Sequence, residues 1–181
     1  MMNRELHERL LAELSRPGLP WKTSPNHEAQ EQAGLRWLPI SNLTTARIEL
    51  GLSSDARWLR AASESVTAFS SDKPCVFLLP VLEVELDEAR RLLARGLEAS
   101  GLSAEFLKVF PFEDVVATGL QSHSEHWTSL ALKWAEQLPA SSKLQSAVQT
   151  LRTSGPTQRI RQAAQKLLAR QRRLGEENEQ T

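Results

Sequence analysis

The chain has 181 residues, 22 Lys plus Arg against 22 Asp plus Glu, 40% hydrophobic and 24% charged residues. Its formal net charge of zero speaks against nucleic-acid binding driven by whole-molecule charge, and its composition is that of an ordinary soluble globular protein. A lone cysteine, Cys75, excludes an intramolecular disulfide and a cysteine-based zinc cluster.

The N-terminal MMNRELHERLLAELSR is charged throughout and lacks the apolar run of a secretory signal. Leu6, Leu10, Leu11 and Leu14 recur at helical spacing, and Asn3 is placed to cap this first helix. Pro17, Gly18, Pro20 and Pro25 then predict an extended loop, with Trp21 on the core. Helices are expected at 27–37, ending before Pro39, and from Asn42 to Gly51. Another is expected over 54–69, with Ser54 as cap and Trp58, Leu59, Ala62, Val66 and Phe69 on one face.

Residues 86–99 carry the clearest helical pattern. Leu86, Ala89, Leu93 and Leu97 share a face, Asp87 and Glu88 lead, and Arg90, Arg91 and Arg95 follow. Gly101 suits the position after the helix. On either side, CVFLLPVLEV and AEFLKVFPF each read as a strand or as a Pro-broken helix. Two strands would make a small βαβ element around 75–112. CVFLLPVL, the longest apolar run, is too short to span a bilayer. These features indicate a cytoplasmic protein. Three further helices are predicted at 122–138, 141–152 and 157–173, followed by a polar, disordered tail at 175–181.

The stretch LQSAVQTLRTSGPTQRIRQAAQKLLARQ is similar to a HEAT-type (armadillo-like) helical repeat. It has a short apolar-faced helix, a tight turn at Gly155-Pro156, and a second helix with Arg161 early and Ala163-Ala164 at the crossing. The resemblance covers about residues 122–170. It implies a mainly α fold of stacked helical hairpins that binds other macromolecules along one surface. The whole chain, 1–181, is then expected as one domain. Its segments would be an N-terminal helix and Pro-rich loop (1–40), a helical or mixed middle (41–118), HEAT-like helices (119–174) and the tail.

Three sets of residues are candidates for chemistry. The first is SHSEH, residues 122–126. Ser122 with Glu125 matches a capping box, which makes His123 the first helical residue. At 100° per residue, His123 lies about 40° and His126 about 100° to one side of Trp127, whereas Glu125 lies at about 160°, towards solvent. An ion held by His123 and His126 therefore needs another ligand, for which Glu113 or Asp114 of PFED are nearest in sequence. A metal-assisted or α/β enzyme would be built on that pair. HExxH and HxxEH are both missing, as are GxSxG, GxGxxG and the P-loop.

The second set is Cys75 among Val76, Phe77 and Leu78, read as a small buried hydrophobe, together with Glu83, Glu85, Asp87 and Glu88, read as an acid-rich helix start. The third is the last helix. No acid occurs between Gly155 and Gly175, and Arg159, Lys166, Arg170 and Arg173 fall within about 60° of one another around the axis. Those four are the candidate contacts to an acidic protein partner. With no aromatic interleaved, base stacking has no platform there. No cofactor is indicated. The sequence thus suggests a non-enzymatic interaction protein of the adaptor, inhibitor or bacterial-immunity kind.

Overall fold

Residues 58–62 and 65–68, whose apolar spacing matches a helix, pair as antiparallel strands in the computed structural model. The structure describes residues 4–23, 35–43, 48–62, 65–71 and 73–179, with side chains as far as Arg173. The chain divides into two compact units: residues 1–73 with 83–111, and residues 74–82 with 112–181.

The first unit is built on a five-stranded antiparallel sheet in the order β1-β2-β3-β4-β5. The strands are β1 (Lys22–Thr23), β2 (Arg36–Leu43), β3 (Ile48–Ser53), β4 (Trp58–Ala62) and β5 (Ser65–Ala68). Directly paired residues share a sheet face. Leu38, Leu52 and Trp58 therefore stand on one face, and Gly51, Leu59 and Ala68 on the other. On this second face Trp37, Leu59, Ala61, Val66 and Ala68 form a buried cluster with Leu35. Both faces are buried, so β3 shows an almost unbroken buried run instead of alternation. Pro39 sits where the β2–β3 register shifts, the kind of place where a strand tolerates a missing N–H donor.

The first face is covered by α2 (Leu86–Ala99) and a 3-10 helix at Ala104–Val109. Trp58 Nε1 donates to the Phe106 carbonyl at 3.0 Å, and its ring meets Phe110 edge-on at 5.1 Å. Gly96 lets α2 lie directly on β2. A Cβ there would fall 2.0 Å from the Ile40 carbonyl oxygen. Helix α2 keeps the expected buried face of Leu86, Ala89, Leu93 and Leu97. Its acids and arginines pair locally, Asp87 with Arg90 and Glu88 with Arg91 and Arg95. Gly101, at φ +68°, ends it, with Leu102 N–H donating to the Leu97 carbonyl. Helix α1 (Arg4–Leu14) buries Leu10 and Leu14, as the leucine spacing predicts. Glu13 of α1 accepts from the Ser103 N–H at 2.8 Å, and Arg9 pairs with Glu105 at 3.3 Å. A hydrogen bond from Lys108 holds the Glu105 carboxyl below the usual range, with Arg9 adding to the effect.

Several expectations are overturned here. A mainly α, HEAT-like fold for the whole chain is excluded by the five-stranded sheet. Where helices were placed at 42–51 and 54–69, residues 42–43, 48–51, 58–62 and 65–68 are strand and 54–57 are turn, and residues 36 and 37 of the helix placed at 27–37 are strand as well. Residues 27–34 of that helix, and the Asn3 cap, lie outside the described residues. There is no βαβ element in 75–112, because the runs flanking α2 are 3-10 helices at Val76–Glu83 and Ala104–Val109. Ser54 caps no helix. It stands in the β3–β4 turn, where the Ser53 hydroxyl meets Asp55, accepts from the Arg57 N–H at 3.1 Å, and Arg57 pairs with Asp55 at 2.6 Å.

Among its described residues the second unit holds most of the 3-10 helix Val76–Glu83 and four α-helices: α3 (Phe112–Leu120), α4 (Glu125–Ala135), α5 (Ser142–Ser154) and α6 (Gln158–Glu179). Helix α3 packs on α4 and α5 on α6, while α3 also rests on α5 and α4 touches α6. Gly119 and Ala131 allow the close α3–α4 approach, since a Cβ on Gly119 would lie 2.8 Å from that of Ala131. Polar ties join the pairs. Ser141 donates to Glu113 at 2.7 Å and also caps α5, and Lys143 pairs with Asp114. Helix α6 continues through Gly175 to Glu179, where the sequence suggests a tail.

Candidate functional site

The SHSEH segment makes the turn between α3 and α4. Its geometry differs from the expected capping box. The cap is Ser124, whose hydroxyl accepts from the Trp127 N–H at 3.5 Å. Ser122 instead closes the end of α3, donating to the Gly119 carbonyl at 2.8 Å and accepting from the Ser124 N–H at 3.3 Å. Between them His123 has φ +56°, a left-handed conformation in which histidine is enriched over most residues. His123 is therefore a turn residue preceding the helix. Replacing it with glycine removes the steric cost of that conformation, about 1–2 kcal/mol, against a smaller entropic loss. His123→Gly is expected to stabilise the protein by roughly 0.5–1 kcal/mol in urea denaturation, because the exposed imidazole sacrifices no burial.

The histidines and carboxylates named as metal ligands are not brought together. Glu113 and Asp114 occupy the first turn of α3 and are engaged by Ser141 and Lys143. His123 follows the other end of that helix. At 1.5 Å per residue, the nine intervening steps or so separate them by about 14 Å. His126 is exposed and lies edge-on to Trp127 at 4.6 Å. Among the described residues, no three His, Cys, Asp or Glu side chains converge on a point where they would hold a metal ion.

Cys75 is buried, at 1% exposure, beside the Thr118 hydroxyl at 3.3 Å. Burial pushes its thiol up, against the opposing Thr118 hydrogen bond, so the side chain is a protonated hydrophobe rather than a nucleophile. Glu83 and Glu85 are exposed, and Asp87 and Glu88 are paired within α2, so the acidic group acts as a helix start.

The four basic residues of α6 part into two kinds. Arg159 is committed within the unit: it pairs with Glu125 of α4 at 3.6 Å and donates to the Ser129 hydroxyl at 3.5 Å. Glu125 also accepts from Thr157 at 3.4 Å. This tie between α4 and α6 gives no signal in the sequence, where Glu125 reads as the acid of a capping box facing solvent. Lys166, Arg170 and Arg173 are exposed, spaced i, i+4 and i+7, and pair with no acid among the described residues. Arg161, on the opposite flank, is half-buried and donates to the Gly155 carbonyl at 2.8 Å. The buried face of α6 is Ile160, Ala164 and Leu167, with Ala163 half-buried beside it. No described helix is long and apolar enough to cross a membrane. Compared with protein-family models, with curated proteins and with solved structures, the chain matches none of them.

Proposed function

We propose that the protein is a non-enzymatic, cytoplasmic interaction protein of the adaptor, inhibitor or immunity kind, whose α6 docks on an acidic protein surface. The observation that carries this reading is the exposed cationic row Lys166, Arg170 and Arg173, whose side chains have no acidic partner among the described residues. Its length, seven residues at 1.5 Å each, is about 10 Å, matched by carboxylates at the same spacing on a partner helix. The pairing of α3 with α4, α5 with α6, and each hairpin on the other supports a HEAT-like reading of this unit alone. A metal-assisted enzyme is less well supported, because its proposed ligands are dispersed over α3, the turn after it and α4.

Reversing three charges, K166E/R170E/R173E, is expected to leave the circular dichroism spectrum unchanged and to weaken capture of the partner at least about tenfold. R159E tests another role, because it breaks the α4–α6 tie and is expected to lower stability. Affinity purification after nuclease treatment, with mass spectrometry, provides the measurement. Recovery of the same proteins by the triple variant would rule the docking surface out.

A further inference from the structure

A pocket of about 480 Å³ opens in the first unit where α1 ends and turns into β1. That volume lies within the range of small-molecule sites. Leu14, Leu19 and Trp21 supply an apolar wall, and Arg16, Arg36 and Ser54 supply polar groups. No acid lines it. The two arginines differ. Arg16 pairs with Glu13 at 3.2 Å and donates to the Gly101 carbonyl at 3.2 Å, so its charge is answered. Arg36 pairs with no acid among the described residues. Its guanidinium lies over the Trp21 ring, 5.2 Å from the centroid. Asp55, on the turn that carries Ser54, is already occupied by Ser53 and Arg57.

A guanidinium lying over an indole keeps its in-plane N–H edge available for two parallel hydrogen bonds to a carboxylate, and the aromatic contact fixes the fork before the ligand arrives. Fixing it lowers the ordering cost of binding. One positive charge with no acidic partner among the described residues matches a monoanion better than a phosphate dianion. We propose that this pocket binds a small organic carboxylate with a flat apolar body, the carboxylate on Arg36 and the body against Trp21 and the two leucines. Ser54 is a further polar residue lining the same pocket.

The test uses the full chain and its amide spectrum by NMR. The probe 2-naphthoate is expected to shift the Trp21, Arg36 and Ser54 amides in a saturable way. The neutral 2-naphthalenemethanol should bind at least about tenfold more weakly, a comparison that needs no variant. R36Q, at an exposed site, should retain the wild-type thermal midpoint and lose about tenfold in naphthoate affinity, and R36K should lose most of that too. N-acetyltryptophan distinguishes a peptide C-terminus from a free aryl acid as the source: tighter Arg36-dependent binding of one or the other assigns it, and both support the site. Equal binding of the acid and the alcohol, binding indifferent to R36Q, or no shift at these amides at about 1 mM probe would overturn the proposal.

Discussion

Gly96→Ala is expected to destabilise the first unit by about 3 kcal/mol or more, a large share of the 5–15 kcal/mol of a typical domain. Two effects oppose each other. Alanine is the better helix former by about 1 kcal/mol, which favours the variant in the middle of α2. The added methyl, however, would sit 2.0 Å from the Ile40 carbonyl oxygen and 2.8 Å from its carbonyl carbon. Both obstacles are strand backbone, which cannot rotate aside as a side chain would. Helix and sheet must separate by about 1 Å, loosening dispersion contacts along the interface, and the contact term prevails. Urea denaturation followed by tryptophan fluorescence measures it. Glu98→Ala, on the exposed side of the same helix, is the control and should change stability by less than about 0.5 kcal/mol. Equal stability of Gly96→Ala and wild type would mean that α2 does not press on β2 at this point.

Trp134→Ala is expected to cost about 3–5 kcal/mol in the second unit. Its ring is 1% exposed and stands 6.1 Å from Phe112, at a tilt of 48°. Truncation leaves a cavity between α3 and α4 that neighbouring side chains fill only in part. Trp127, one heptad earlier, is half-buried, and its loss should cost about 1–2 kcal/mol. The contrast tests a specific point of geometry, since wheel arithmetic places the two indoles within 20° of each other. They differ because Trp127 lies in the first turn after Ser124, beside exposed His126, whereas Trp134 lies deep in the packed helix pair.

The helical third of the chain was legible because its signals are local. Leu144, Ala147, Val148 and Leu151, or Ile160, Ala164 and Leu167, recur with the helix period, and Pro139, Gly155 and Pro156 mark the breaks. Helix α2 was legible for the same reason, with its charges ordered along the dipole and Gly101 at its end. The sheet was not. Residues 58–69 offer apolar side chains at spacings that suit a helix face, and Ser54 with Asp55 precedes them as caps do. Serine and aspartate bond to nearby backbone in caps and in turns alike, so the residue types alone do not separate the two. In β4, burial of both sheet faces puts Trp58 and Leu59 side by side and erases the alternation that would have exposed it as a strand. The period-two pattern of Ile48, Leu50 and Leu52, and of Val66 and Ala68, is the one signal that favoured strands.

The candidate site shows the same division. Sequence alone established that the basic residues of α6 lie on one face, because helix geometry fixes that from spacing. It also excluded the familiar nucleotide and zinc-protease motifs. Only the tertiary structure decided which of those cations remain available, since the partner that engages Arg159 is Glu125, 34 positions earlier on another helix. It alone turned His123 from a helical residue into a left-handed turn, through hydrogen bonds made by Ser122 to the end of α3. The pocket beside Trp21 was likewise beyond reach, because Arg16, Arg36 and Ser54 meet only when the end of α1, β2 and the β3–β4 turn are folded together. Spacing along a helix is fixed by the covalent chain, whereas ion pairs and pockets depend on which distant segments share a core.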